Sequence, residues 1–238
     1  MDNKDNTNKN LLAILRDGLA PALGCTEPIA LAFSTANAAT KAEGNLEKIK
    51  IRVNRNIYKN GLRVGIPGTN KTGLYVAAAL GYLIGEPEKE LEVIESVSEE
   101  DVKKAEKLIN EKKVEIEIAE GIERLFIETI IYTDKSLVRA ITLDKHLNII
   151  QIEKSDDLKS YKIPEKESKP SQLDIKNYSF KDILEFADKV NLDDLSIIER
   201  GIKLSYEIIK KGRERGTTLA ASLQKMIDED ITNDNMMN

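Results

Sequence analysis

The sequence of 238 residues predicts an α+β fold, a predominantly helical core with a small α+β module inserted into it. Three observations carry that expectation. Helical periodicity dominates both ends of the chain, over residues 11–42 and again over 180–230. The stretch Leu74–Ile84 (LYVAAALGYLI) is apolar on every side, as a buried helix is. Between the ends, a charged amphipathic helix precedes four short β-like runs, a helix followed by an antiparallel meander. The expected division is residues 1–87 as the first part of the helical core, 88–155 as the inserted module, 156–176 as a polar linker and 177–238 as the helical continuation.

Taken in order, residues 11–19 place Leu11, Leu12, Ile14, Leu15 and Leu19 at near-helical spacing, closed by Gly18 and Pro21. Residues 27–42 form a second helix rich in small side chains (Ala30, Ala32, Ala36, Ala38, Ala39), which lets another helix approach closely. Thr26 is the expected N-cap, with Glu27 in the first turn. Ile49, Ile51 and Val53 alternate with Lys50 and Arg52 as a strand does. Ser98 opens a helix over 98–113, with Asp101 three residues on. The β-like runs are 114–118, 125–133, 137–143 and 148–152, and Asp134-Lys135 and Asp144-Lys145 break two of them from their neighbours. Residues 156–176 are polar, with Pro164 and Pro170. Helices return over 180–190, 192–212 and 217–230, the middle one with Ile197, Ile198, Ile202, Leu204, Ile208 and Ile209 as a core stripe.

Composition narrows the function. Net charge is −5, from 36 basic and 41 acidic residues, well mixed, which speaks against a nucleic-acid binder with its basic face. Aromatics are only 5% and tryptophan is absent, so stacking surfaces are scarce. No run approaches the roughly 18 apolar residues of a membrane span, and the polar start has no apolar stretch of signal-peptide type. The single cysteine excludes an internal disulfide framework and fits a reducing, cytoplasmic setting.

That cysteine is the most informative residue. Cys25 stands in Pro21-Ala22-Leu23-Gly24-Cys25-Thr26-Glu27-Pro28-Ile29, just before a helix start. A lone cysteine is commonly buried filler. Here the helix dipole favours the thiolate, and Pro21, Gly24 and Pro28 make a stiff approach. Glu27 opposes that effect through its charge. A second block, Lys59-Asn60-Gly61-Leu62-Arg63-Val64-Gly65-Ile66-Pro67-Gly68-Thr69, precedes the buried helix. Its glycine-rich part is not a phosphate-binding P-loop, because Asn70 stands where that motif needs Gly before Lys71. Backbone N–H groups at a helix start, with Thr69, Lys71 and Thr72 nearby, suit an anion such as a carboxylate; the plainer reading is a loop and N-cap. Lys59-Asn60-Gly61 reads equally as a hairpin turn. His146, the only histidine, reads as an exposed turn residue, and one Cys with one His far apart builds no zinc site.

These two blocks, in this order, resemble the L-cysteine desulfidase family, relatives of the alpha part of iron–sulfur L-serine dehydratase. The resemblance implies β-elimination on a small amino acid, L-cysteine to pyruvate, ammonia and sulfide or a serine analogue losing water. It implies Cys25 as the proton acceptor; Gly68, Thr69 and Lys71 would hold the substrate, with Lys59 and Asn60 facing the site. It also implies a [4Fe-4S] cluster whose ligands lie in the family's C-terminal half. By this resemblance the chain corresponds to the N-terminal portion, with no metal ligands of its own and no activity without a second, cluster-bearing polypeptide. The alternatives are a non-catalytic small amino-acid binding module and a truncated remnant.

Overall fold

The computed structural model describes residues 2–20, 22, 24–155, 161–164, 173–214 and 218–231. In chain order, α1 is Asp2–Asp17, α2 Thr26–Ala39, β1 Leu46–Val53, α3 Arg55–Gly61, α4 Leu74–Ile84 and α5 Glu99–Asn110. Then come β2 Val114–Ile118, β3 Phe126–Thr133, β4 Leu137–Leu143, β5 Ile149–Lys154, α6 Phe180–Lys189, α7 Ser196–Glu214 and α8 Thr218–Asp228. The fold is α+β, as the sequence pattern requires.

The chain divides into two compact units. One spans residues 21–166 and contains α2 to α5 and the whole sheet; the other joins 1–20 to 167–238 and is helical. The boundary expected at residue 87 falls inside the first of these. Its reason is β1, which comes from the stretch assigned to the helical core and sits between β2 and β3 in the sheet order β2-β1-β3-β4-β5. β1 runs parallel to β2 and antiparallel to β3, so only β3, β4 and β5 form the antiparallel meander. Most of the expected linker lies outside the described residues.

Alternation along the strands sorts the two faces of the sheet. Ile49, Ile51 and Val53 of β1 and Ile127 of β3 face α2 and α4, forming a core with Ile29, Leu31, Leu74 and Leu80. The hydroxyls of Ser34 and Thr129 meet at 3.0 Å in that interface, so each buried hydroxyl has a partner. α2 and α4 are in near-backbone contact: a Cβ added at Gly81 would lie 2.4 Å from the carbonyl oxygen of Ala32. The small residues of the two helices serve that approach. The opposite face carries a cross-strand charge ladder. Lys48 pairs with Glu115, Lys50 with Glu117, and Glu128 with both Arg52 and Arg139. Glu128 is buried, and a buried carboxylate requires such partners. The Arg139 guanidinium lies over the Tyr161 ring, 5.5 Å from its centroid, and Tyr161 and Ile163 pack on Phe126, Ile141 and Leu143.

Several boundaries match the sequence pattern, α4 among them. Ser98 and Asp101 form a full capping box at the start of α5. Other elements differ. α1 begins well before residue 11. Cys25 is the N-cap of α2, and Thr26 is its first helical residue. Asn60-Gly61 ends helix α3 and makes no hairpin. There, Gly61 is buried against Leu74, and packing on α4 outweighs the local turn preference of the dipeptide.

Candidate functional site

The N-terminus of α2 gathers residues from four separate segments. Cys25 has extended backbone angles and makes no side-chain capping bond, and it is exposed. The thiol of this chain is therefore not core filler. Its neighbour Thr26 is bound through Oγ1 to His146 Nε2 at 3.3 Å. The next residue, Glu27, accepts a hydrogen bond from Asn60 Nδ2 at 2.9 Å. On the other side, a Cβ at Gly24 would stand 3.4 Å from Pro67 Cγ, so the glycine-rich loop is seated against the turn that carries the cysteine.

Each neighbour is positioned by its own element. His146 rides the tight connection between β4 and β5. Asn148 closes that connection by donating its side-chain amide to Leu143 O at 2.8 Å. Arg124 clamps Asp144, whose φ is +68°, through both carboxylate oxygens. The hydrogen bond to Asp144, larger than the opposing desolvation, holds Arg124 above its usual range. Asn60 sits on the last turn of α3, which is anchored by buried Ile57 and Gly61; Lys59 is exposed beside it.

The glycine-rich loop is a small, self-bonded turn. Gly65 bridges to Thr72, and Ile66 N–H donates to Lys71 O at 2.9 Å. Thr69 Oγ1 donates to Ile66 O at 2.8 Å and accepts from Lys71 N–H at 3.0 Å. Gly68, at φ +73°, has no room for a Cβ, which would lie 2.5 Å from Val97 Cγ1. The Lys71 ammonium is ion-paired with Glu106 of α5. Gly68, Thr69 and Lys71 line a groove of about 380 Å³ with Glu99, Val102 and Glu106. Thus the sequence-derived residues separate into two groups. Asn60 stands beside the Cys25 turn through its bond to Glu27, with no contact shown for exposed Lys59 among the described residues, while Gly68, Thr69 and Lys71 face α5, and Pro67 is the loop's contact with Gly24.

His146, Glu27 and Pro67 complete the neighbourhood of Cys25; the sequence placed only Glu27 near the thiol and gave His146 and Pro67 no role there. No periodicity could reveal the Thr26–His146 pair, which is separated by 120 residues. The rarity of histidine in this chain was the one usable signal.

The donor set does not fit an iron–sulfur cluster. Such clusters are held by several cysteine thiolates, and the chain has one cysteine. Among the described residues, no group of three or more His, Cys, Asp or Glu side chains could hold a metal ion. Among them, too, no helix is long and apolar enough to cross a membrane.

Comparison with known proteins adds relatives. The chain is 38% identical over 204 residues to a UPF0597 protein of Clostridium tetani, covering 85% of this chain and 48% of that protein. It is 36% identical over 229 residues to a UPF0597 protein of Clostridium botulinum (95% and 53%). To a UPF0597 protein of Alkaliphilus oremlandii it is 32% identical over 235 residues (97% and 55%). The chain spans about half the length of the curated relatives it matches. No family model matches, and no solved structure matches. These relatives correct the family expectation. The resemblance to L-cysteine desulfidases and serine dehydratases rested on two short, turn-rich blocks. Similarity over nearly the whole chain leads instead to proteins named UPF0597, and nothing in the comparisons places the chain with the desulfidases.

Proposed function

We propose that this chain carries the proton-abstracting part of a site that eliminates the β-substituent of a small L-amino acid, with L-cysteine or L-serine as substrate. The observation that carries the reading is the position of Cys25. The only thiol is exposed at the N-terminus of α2. A carboxylate–amide pair and the only imidazole are fixed to the two residues that follow it.

In this reading Cys25, exposed at the start of α2, acts as the base that removes the α-proton of the substrate. The electron pair left on Cα forms the Cα=Cβ bond as the Cβ–S bond of L-cysteine breaks and hydrosulfide departs. The resulting aminoacrylate tautomerises to an imine, and water converts that to pyruvate and ammonia. With L-serine the departing group is hydroxide, which leaves with a proton as water. His146 is the imidazole nearest in the bonding network and supplies that proton. Asn60, held beside Glu27, orients the carboxylate. The one-cysteine chain suits the reducing cytoplasm. The chain spans about half the length of its relatives, and in this reading their remaining half contributes to the complete site.

The test is co-expression with a polypeptide comprising the part of the Clostridium tetani relative that this chain does not span, kept anaerobic. Sulfide and pyruvate are then assayed from L-cysteine, and pyruvate from L-serine. The expected result is product that requires both chains and is lost in Cys25→Ala. A complex that forms, binds either amino acid and yields no product would overturn the lyase reading. It would favour a binding module, whose affinity survives Cys25→Ser.

A further inference from the structure

Helix α7 carries a long apolar face that is half-buried at Ile197 and Ile198 and exposed from Ile202 onward. Ile197, Ile198, Ile202, Tyr206, Ile208 and Ile209 fall on one side at helical spacing. Ile202 is 53% exposed, Tyr206 63% and Ile208 70%. The groove along this face, about 450 Å³, includes Gly201 and Ser205 in its lining, and a Cβ added at Gly201 would meet nothing within 4 Å. The opposite side is charged and of mixed sign, with Lys203 hydrogen-bonded to Glu199. A face of this pattern belongs against a second apolar surface. The mixed charges do not suit a lipid-surface helix, whose polar side is rich in Lys and Arg.

The relatives indicate what that surface is. Matches that cover 95% and 97% of this chain leave too few residues unmatched to omit α7, yet they take up only 53% and 55% of the relatives. In those proteins the sequence of α7 is therefore accompanied by a second half of similar length. We propose that the apolar face of α7 is the docking surface for a polypeptide equivalent to that second half, which lays an apolar face of its own into the groove at Gly201 and Ser205. The proposal rests on the two-part reading above for the identity of the partner, and binding is measured separately from turnover.

The experiment uses this full chain, tagged, co-expressed with the untagged unspanned part of the Clostridium tetani relative. Co-purification and complex mass are the readouts. The expected result is a one-to-one complex whose recovery falls at least tenfold in the double variant Ile202→Asp, Ile208→Asp and is unchanged in Lys203→Ala, Lys210→Ala. Circular dichroism of each variant alone checks that its helices remain. Cys25→Ala keeps the complex, so a complex without turnover leaves this surface standing while the lyase reading fails. Three results would overturn the proposal. They are no co-purification with the unaltered chain, a complex indifferent to the double variant, or a homodimer of the chain alone that the double variant dissolves.

Discussion

The two units of this chain use similar apolar residues to opposite effect. In the unit of residues 21–166, Ile49, Ile51, Leu74 and Leu80 are almost wholly removed from water, and α2 and α4 touch backbone to backbone. In the helical unit, Phe180, Leu192, Ile208 and Leu219 are each 70–80% exposed. Both units are regular and well capped; Ser98 and Ser179 each make a capping box. The difference lies in packing partners and not in helix-forming sequence. Capping and periodicity make a helix, and burial alone decides whether it is finished. The sheet unit buries most of its large apolar residues, whereas the helical unit leaves many of its own exposed.

The sharpest way to break this contrast is one pair of substitutions. Gly81→Ala places a methyl against the Ala32 carbonyl and is expected to destabilise the sheet unit by about 3 kcal/mol. Gly201→Ala meets open space and is expected to be neutral or to stabilise α7 by roughly 0.5–1 kcal/mol. Denaturant melts followed by circular dichroism measure both, and similar effects at the two glycines would erase the distinction. A cavity test follows: Leu80→Ala should cost about 3 kcal/mol, while Ile208→Ala should stay within about 0.5 kcal/mol in the isolated chain. Smaller than the cavity effect, Ser34→Ala leaves the Thr129 hydroxyl buried without its partner and should cost roughly 1–2 kcal/mol.

Acid sharpens the comparison at its weakest level. Hydrogen bonds from the Asn45 side chain and backbone N–H hold the Asp134 carboxyl below its ordinary range. A carboxyl lowered in the folded state contributes stability above its unfolded pKa, and that contribution is lost as pH falls through the folded value. Melting temperature should therefore drop more on acidification in the unaltered chain than in Asp134→Asn. Parallel curves for the two would remove this contribution.

Much of the fold was legible because it is written locally. The apolar run of α4, the alternation in β1 and the Ser98–Asp101 pair each depend on neighbours in sequence. The place of β1 in the sheet was not legible. Alternation identifies a strand and is silent about its partners, and the register of β1 with β3 joins residues far apart in the chain. Asn60-Gly61 misled for the complementary reason, since a strong local turn signal gave way to packing against Leu74. The stripe of α7 was read correctly as apolar but expected in the core. In the candidate site, Cys25 stood out through its glycine- and proline-rich setting. The bonds of Thr26 to His146 and of Glu27 to Asn60 arise only once the chain has folded.

The most direct measurement is exchange of the substrate α-proton for solvent deuterium, followed by NMR in the two-chain complex supplied with L-cysteine or L-serine. The account predicts exchange or elimination with the unaltered chain. It predicts bound but unexchanged amino acid in Cys25→Ala, and normal exchange in a surface variant such as Lys210→Ala. Exchange that continues undiminished in Cys25→Ala would contradict the assignment of Cys25 as the base.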